Sequence, residues 1–282
     1  IKIVADDKIP FLKGVLEPYA KIEYLPGSKT DRAALLDADA VFTRTRTRCN
    51  ATTLDGTAVK FIATATIGYD HIDTAYCKSK GIAWTNAPGC NSASVAQYMA
   101  SLLLAFSLKF GVRLQGKTLG VIGVGNVGSK VAKVGRALGL RVLLCDPPRA
   151  RKEGPAEFAS LDTVLAESDI ISIHVPLAAD GPDKTLGLGN AEFFRKLGKK
   201  PFVVNAARGE VVSGNALKNA IKTGLVKTAA LDVWENEPHI DLELLSMLFQ
   251  GTPHIAGYSS DGKANGTAMS VQALARHFNI PA

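Results

Sequence analysis

The stretch Thr118–Gly128, TLGVIGVGNVG, is the strongest indication in this sequence of how the chain folds. Its first five residues form a β-rich apolar run, and Ser129–Leu138 behind it has helical spacing. A Gly-x-Gly-x-x-Gly pattern between a strand and a helix is the fingerprint of a dinucleotide-binding turn. We therefore predict that Gly123 makes the tight turn, that Gly125 lets the backbone approach a pyrophosphate, and that Gly128 lets helix and strand pack closely.

The residues after this turn indicate which dinucleotide it binds. The phosphates would lie at the helix N-terminus, at Asn126 and Val127, where free N–H groups favour anions. The next predicted strand is followed by Asp146. An acid there would accept hydrogen bonds from the adenosine ribose and repel a 2′-phosphate, which favours NAD over NADP. Arg149 and Arg151 stand close by and weaken that preference. The alternative is a glycine-rich turn that binds nothing.

Outward from this unit, β-rich runs alternate with helical stretches along the whole chain. The predicted strands are Ile1–Ala5, Lys21–Tyr24, Ala40–Thr43, Lys60–Thr64, Gly81–Trp84, Thr118–Ile122, Arg141–Cys145, Ile170–His174, Phe202–Asn205, Thr228–Asp232 and a short run at His254–Ile255. The predicted helices are Phe11–Tyr19, Asp70–Lys80, Ala93–Leu108 as a bridge between domains, Ser129–Leu138, Leu161–Glu167 and Ala216–Thr223. Such alternation predicts an α/β fold with two doubly wound parallel-sheet domains.

Composition narrows the function classes. The 282 residues carry a moderate net charge of +7 that is spread along the chain, so we expect no nucleic-acid partner. The longest apolar stretch, Val95–Leu108, is short for a membrane span, and the charged first twenty residues do not form a secretory signal. Four cysteines without metal-ligand spacing predict reduced thiols in a cytoplasmic protein without a metal.

Three residues beyond the dinucleotide fingerprint could act on a 2-hydroxy acid. Such chemistry needs a cation that fixes the carboxylate, and Arg208 after a predicted strand suits that task. It needs a base for the hydroxyl proton, for which His254 is the candidate. A carboxylate such as Glu237 would orient the imidazole and favour its protonated form. Each residue alone could be a surface or structural group, and their joint occurrence favours the catalytic interpretation.

The motifs around these residues resemble the D-isomer-specific 2-hydroxyacid dehydrogenases over essentially the whole chain, in order. They are Gly123–Gly128, His174–Leu177, Asn205–Gly209, Asp232–Pro238 and Pro253–His254. The resemblance implies a Rossmann NAD domain and a flavodoxin-like substrate domain. It assigns residues 1–92 to the substrate domain, with 259–282 returning to it, and 93–258 to the NAD domain.

A narrower resemblance is to the erythronate-4-phosphate branch of this family. It is carried by Ala87–Asn91, Leu144–Ala150 and His254–Lys263. It implies oxidation of 4-phospho-D-erythronate on the route to pyridoxal 5′-phosphate, with Arg208, Glu237 and His254 catalytic. It also implies a cofactor set of Asp146, Val175, Ala206, Ala207, Arg208, Asp232 and Gly257, and Thr45, Thr66 and Tyr258 at the substrate.

The substrate's phosphate needs a cation of its own. Arg44, Arg46 and Arg48 alternate, so on an extended segment their side chains would share one face. We expect at least Arg44 to contact the carboxylate or phosphate of a small phosphorylated 2-hydroxy acid. The alternative is a solvated basic edge.

Three departures from the family pattern matter. Val175 replaces the usual threonine, so any cofactor contact there is through the backbone, and Gln97 stands where relatives commonly have glutamate. The sequence ends at Ala282, whereas relatives of the erythronate-4-phosphate branch typically continue into a dimerisation segment, and a homodimer is the expected assembly.

Two rival functions share these motifs. Another 2-hydroxyacid dehydrogenase, acting on 3-phosphoglycerate, glycerate or a simple 2-keto acid, would differ in the substrate loops. It would keep the trio of Arg208, Glu237 and His254. An NAD-sensing interaction protein of the same fold would keep the trio too and turn over no acid.

Overall fold

The computed structural model describes residues 1–281, so Ala282 lies outside the described residues. The chain divides into two compact units. The first unit comprises Ile1–Asn91 and the C-terminal segment from Tyr258 onward. The second unit comprises Ser92–Gly257.

The first unit is built on a five-stranded parallel sheet with the flavodoxin-like order β2-β1-β3-β4-β5. Its strands are β1 Lys2–Asp6, β2 Lys21–Leu25, β3 Ala40–Thr43, β4 Phe61–Thr64 and β5 Ala83–Thr85. Its helices are α1 Arg32–Leu35, α2 Ala51–Leu54, α3 Thr74–Lys80 and α11 Ser260–Phe278, with a short 3-10 turn at Gly27–Lys29. Alternate residues of β1 enter opposite cores: Ile3 packs with Leu274 of α11, and Val4 packs with Leu35 and Cys77.

The helix predicted at Phe11–Tyr19 is wrong, because the segment is a series of turns. Leu12 and Leu16 are fully buried, and their four-residue spacing produced the helical pattern. Gly14 has a φ of +86°, which ends any helix there, and Val15 N–H donates to the Leu12 carbonyl in a turn at 3.2 Å.

The second unit contains a six-stranded parallel sheet in the order β11-β10-β9-β8-β6-β7. Its strands are β6 Thr118–Ile122, β7 Arg141–Cys145, β8 Ile170–Ile173, β9 Phe202–Asn205, β10 Thr228–Leu231 and β11 Gln250–Gly251. Its helices are α4 Ser92–Phe110, α5 Asn126–Ala137, α6 Pro147–Glu153, α7 Leu161–Glu167, α8 Ala191–Arg195, α9 Gly214–Lys222 and α10 Leu242–Met247, with 3-10 turns at Pro155–Glu157 and Gly209–Val211. This is the order of a Rossmann sheet, in which a further edge strand lies beyond β7. Here a short contact takes the place of that strand: Ala159 N–H donates to the Leu144 carbonyl at 2.7 Å.

Helix α4 is the longest apolar element of the second unit. Among the described residues it is the one helix whose length and composition would suffice to cross a membrane. Its Met99, Leu103 and Phe106 are buried in a cluster with Leu119 and Phe202, and the Phe106 and Phe202 rings stack at 4.3 Å. Burial of this face accounts for these three apolar residues, whereas Leu104 and Leu108 of the same helix are 48% and 85% exposed.

The strand predicted at His254–Ile255 is also wrong. The last strand of the sheet is β11, and His254 follows it with a φ of +56°. A positive φ is incompatible with a strand. The segment around His254 is instead a turn that hydrogen bonds to Asp232, as described below.

Candidate active site

The turn between β6 and α5 depends on two glycines whose Cβ atoms would clash with backbone. Gly123 has a φ of +85°, and a Cβ there would lie 2.6 Å from the His174 carbonyl oxygen. A Cβ at Gly128 would lie 1.9 Å from the Gly123 carbonyl oxygen. Both positions therefore require glycine for the close approach of strand, turn and helix.

Gly125 differs, because a Cβ there would meet nothing within 4 Å. It is the N-cap residue of α5 and supplies no side-chain cap, so the N–H groups of Asn126 and Val127 in the first turn have no intrahelical partner. Open space beside Gly125, together with these N–H groups, fits the pyrophosphate of a dinucleotide.

Asp146 follows β7 and is hydrogen bonded to the turn between β6 and α5. Its Oδ2 accepts a hydrogen bond from Val124 N–H at 2.8 Å, and its Oδ1 accepts one from Arg149 N–H at 3.0 Å. Each carboxylate oxygen can accept a further hydrogen bond, so the group retains capacity for ribose hydroxyls.

His174 lies directly behind the glycine turn. Its backbone N–H donates to the Ile122 carbonyl at 2.7 Å, and its Nε2 lies 2.7 Å from Ser172 Oγ. Burial lowers the pKa of His174 to about 4, so the ring is neutral at pH 7. Val175 reaches the same place, since a Cβ at Gly123 would lie 2.9 Å from its Cγ1.

Arg208 is positioned by the loop that follows β9. Asn205 shapes this loop, because its Oδ1 accepts from Ala207 N–H at 3.0 Å and its Nδ2 donates to the Arg208 carbonyl at 2.9 Å. Arg208 Nη1 donates to the Ala207 carbonyl at 2.8 Å, which leaves the other donors of the half-buried guanidinium available. Ala206 and Ala207 lie in this loop between β9 and Arg208.

Glu237 joins Trp234 to the catalytic histidine candidate. Its Oε1 accepts from Trp234 N–H at 2.8 Å, and its Oε2 lies 2.9 Å from His254 Nδ1. The contact to Nδ1 leaves Nε2 of the half-exposed imidazole for another partner. Trp234 Nε1 also donates to the Thr252 carbonyl at 2.9 Å, which ties the two loops together.

The buried Asp232 carboxylate organises the turn that carries His254. It accepts from Thr252 Oγ1 at 2.6 Å, from Ile255 N–H at 2.8 Å and from Ala256 N–H at 2.8 Å. The Asp232 carbonyl in addition accepts from His254 N–H at 2.7 Å. The resemblance assigned Asp232 to the cofactor set, and in the structure its carboxylate holds the segment that leads to Gly257. Sequence reasoning missed Thr252, and a threonine before Pro253 carries no signal of this role.

These loops meet at an open pocket of about 270 Å³. Its lining residues are Arg208, Gly209, Glu210, Trp234, Glu235, Asn236, Glu237 and His254. Gly209 makes the close approach possible, because a Cβ there would lie 2.0 Å from the Trp234 carbonyl oxygen. The structure thus brings together an arginine for a carboxylate and a carboxylate–imidazole pair for a proton.

The remaining predicted site residues lie in the first unit. Arg44 Nη2 lies 3.4 Å from Asp6 Oδ1, Thr45 is exposed, and Thr66 Oγ1 lies 2.7 Å from Thr64 Oγ1. The chain turns at residues 45–46, so the expectation that Arg44, Arg46 and Arg48 share the face of an extended segment is wrong.

Tyr258 is exposed and has a cationic neighbour that sequence reasoning did not single out. Lys263 Nζ lies 3.4 Å from the centre of the Tyr258 ring. Interaction with Lys263, and to a lesser degree the charge of Arg44, lowers the pKa of Tyr258 below its ordinary value. Arg44, Tyr258 and Lys263 therefore form a region of the first unit that favours anions.

Residues 102–256 match the family model described as the NAD-binding domain of the D-isomer-specific 2-hydroxyacid dehydrogenases. The erythronate-4-phosphate dehydrogenase of Bacteroides thetaiotaomicron is 54% identical over 283 residues, covering 100% of this chain and 81% of that protein. The chain belongs to the D-isomer-specific 2-hydroxyacid dehydrogenases. The narrower resemblance to erythronate-4-phosphate dehydrogenases is confirmed as well.

Two solved structures agree with this assignment. The D-lactate dehydrogenase of Aquifex aeolicus, solved with NAD and lactic acid, has a TM-score of 0.79 at 29% identity and covers 99% of this chain and 96% of its own. An NADPH-dependent glyoxylate/hydroxypyruvate reductase of Sinorhizobium meliloti, solved with NADP and malonate, has a TM-score of 0.80 at 25% identity and covers 98% and 93%. The predicted fold class is confirmed, and the chain is an NAD-dependent dehydrogenase of this family.

Proposed function

We propose that this dehydrogenase oxidises 4-phospho-D-erythronate at C2 to (R)-3-hydroxy-2-oxo-4-phosphobutanoate. The observation that supports the proposal most directly is the pocket that joins Arg208, Glu237 and His254. NAD, when bound, supplies the acceptor for the hydride that leaves C2. The similarity to proteins named erythronate-4-phosphate dehydrogenase selects this acid among those that the pocket could process.

In this proposal His254 takes the proton of the C2 hydroxyl. Its Nδ1 contacts Glu237 at 2.9 Å, so Nε2 is the atom that accepts the proton as the hydride departs. The negative charge of Glu237 stabilises the imidazolium that results and holds the orientation of the ring. In the reducing direction the same imidazolium returns the proton.

Arg208 binds the carboxylate of the substrate. One of its donors is engaged with the Ala207 carbonyl, which holds the side chain while the remaining donors can form paired hydrogen bonds. The backbone of the 206–208 loop, Asp146, Val175, Asp232 and Gly257 would contribute to NAD binding, together with the residues of the glycine turn. We assign residues 1–92, with the returning C-terminal segment, to substrate binding and 93–258 to NAD binding.

We propose that Arg44, Thr45, Thr66 and Tyr258 bind the substrate, with a supporting charge from Lys263. Arg44 would contact the carboxylate or the phosphate. We further propose that the protein acts in the cytoplasm, as a homodimer, in synthesis of pyridoxal 5′-phosphate.

The test follows reduction of NAD by near-ultraviolet absorbance with 4-phospho-D-erythronate, 3-phosphoglycerate and D-glycerate in parallel. We expect a rise selective for the erythronate phosphate and its loss in His254→Gln, with NAD affinity unchanged. Turnover of only one of the other acids would leave the proposed roles of the trio in place and refute 4-phospho-D-erythronate as the substrate. If NAD binds but none of the three acids reduces it, the result would favour an NAD-sensing protein.

A pair of arginine variants tests the phosphate contact. We expect Arg44→Ala to raise KM for the phosphorylated acid by about tenfold or more, because a lost charge-assisted hydrogen bond costs about 1.5–3 kcal/mol. Arg48→Ala is the matched control, because Arg48 is an exposed arginine of the same segment. Equal KM values in the two variants would remove Arg44 from the site.

A further inference from the structure

We propose that Glu153 is a cofactor-specificity residue, which holds the Arg149 guanidinium and so withholds the cation that a 2′-phosphate would need. The chain carries an arginine close to the acidic residue at the end of the second strand of its NAD-binding fold. Related enzymes of this fold use either NAD or NADP, and a nearby arginine is the group that accommodates the 2′-phosphate of NADP. The state of Arg149 therefore bears on selectivity.

The guanidinium of Arg149 is engaged on three sides. Its Nε donates to Glu153 Oε1 at 2.8 Å and its Nη2 donates to Glu153 Oε2 at 2.6 Å, which is a paired contact across one turn of α6. Its Nη1 donates to the Val124 carbonyl at 2.7 Å. Its Cζ lies 5.2 Å from the centre of the Phe158 ring, so the flat face of the group is covered as well. The paired geometry is the one in which arginine binds carboxylate or phosphate most strongly.

The position of this cluster links it to the cofactor turn. Val124 accepts from Arg149 through its carbonyl and donates to Asp146 through its N–H. Asp146 in turn accepts from the Arg149 backbone N–H. Arg149 is thus fixed against the turn and beside Asp146, the acid proposed to bind the ribose, and its charge is balanced by Glu153.

The neighbouring arginine of α6 is also engaged. Arg151 forms an ion pair with Asp183, a residue outside the helix.

Hydrogen bonds from Arg149 hold the pKa of Glu153 below its ordinary value, so Glu153 is ionised at neutral pH. Asp146, Arg149 and Glu153 together carry a net charge of −1, which opposes a phosphate dianion at this end of the cofactor.

The size of the effect follows from the exposure of the pair. The side chains of Arg149 and Glu153 are 38% and 44% exposed, so the ion pair itself is weak. Release of Arg149 from such a pair would raise the affinity for a 2′-phosphate about twofold to fivefold. Removal of a negative charge near the phosphate adds to this, so we expect a total change of about tenfold.

The experiment compares two fragments that report only on the adenosine end: 2′,5′-ADP for NADP and 5′-AMP for NAD. Calorimetric titration gives the ratio of their dissociation constants in each variant. In Glu153→Ala we expect this ratio, 2′,5′-ADP over 5′-AMP, to fall about tenfold. Glu157→Ala is the charge-matched control, because Glu157 is exposed in the adjacent 3-10 turn, outside the contacts that hold the Arg149 guanidinium.

A double variant identifies Arg149 as the group released. Arg149→Ala combined with Glu153→Ala should lose the part of the gain that depends on Arg149, about twofold to fivefold, because the two residues act on the ligand through one another. Thermal melting of each variant reports whether the fold is retained. An equal shift in Glu153→Ala and Glu157→Ala, or the full gain of Glu153→Ala retained in the double variant, would overturn the proposal.

Discussion

Two glycine-to-alanine changes in the same turn should affect different properties, NAD binding in one case and stability in the other. Gly125 has open space around the position of a Cβ, whereas a Cβ at Gly128 would lie 1.9 Å from the Gly123 carbonyl oxygen. We predict that Gly125→Ala leaves the free protein stable and weakens NAD binding. We predict that Gly128→Ala destabilises the free protein itself.

The magnitudes follow from these distances. An ordinary contact begins at 3.4 Å, so the Gly128→Ala change would require α5 or the Gly123 turn to move by about 1.5 Å. A cost of about 3 kcal/mol corresponds to a fall in Tm of about 10 °C for a unit of this size. For Gly125→Ala the loss of a favourable N-cap residue and the stiffer unfolded chain nearly cancel, so Tm should change by less than about 3 °C.

The binding effect of Gly125→Ala arises because the added methyl group occupies space that the pyrophosphate needs. A clash worth about 2 kcal/mol raises the Kd for NAD about thirtyfold. Circular dichroism melts of the free proteins and calorimetric NAD titrations measure the two effects. Unchanged NAD affinity in Gly125→Ala would refute the placement of the pyrophosphate beside Gly125. A Tm of Gly125→Ala as low as that of Gly128→Ala would refute the claim that a Cβ at position 125 meets open space.

Three further predictions concern Asp232, His174 and Glu237. Asp232→Asn leaves a poorer acceptor for the three donors of the 252–256 segment, so the free energy of unfolding should fall by about 2 kcal/mol. An unchanged urea midpoint would show that the segment is held by other contacts. Burial lowers the pKa of His174 from 6.5 to about 4, so between these pH values the unfolded chain binds a proton that the folded chain does not. The contribution of His174 is therefore complete above pH 6.5 and is lost as pH falls towards 4, by on the order of 3 kcal/mol. His174→Gln should show a shallower loss of stability in that window, and an identical pH dependence would contradict this account. Glu237→Gln removes the charge beside His254 Nδ1, so kcat should fall by about 100-fold while the Kd for NAD stays constant. A retained kcat would remove Glu237 from the proton chemistry.

The sequence alone was sufficient for the elements whose signals are local. The strands Thr118–Ile122, Arg141–Cys145 and Phe202–Asn205 and the helix Leu161–Glu167 have the predicted bounds. Their side-chain periodicity and flanking turn residues lie within a few positions of each other, so no distant contact is needed to define them. The glycine turn is of the same kind, because the backbone conformation and close packing that it requires leave a visible pattern of glycines.

Tertiary structure decided the features that depend on distant partners. Leu12 and Leu16 have helical spacing, but the turns around Gly14 bury them without a helix. His254 lies beside Glu237 because Asp232, 20 residues before Thr252, holds the segment that carries the imidazole. Likewise, the sequence predicted two arginines near Asp146 that could bind a 2′-phosphate, and only the fold shows Arg149 engaged with Glu153 and Val124. Residue types define what a side chain can bind, whereas the folded backbone determines which partner is within hydrogen-bond distance, and that is where the chemistry of this site was decided.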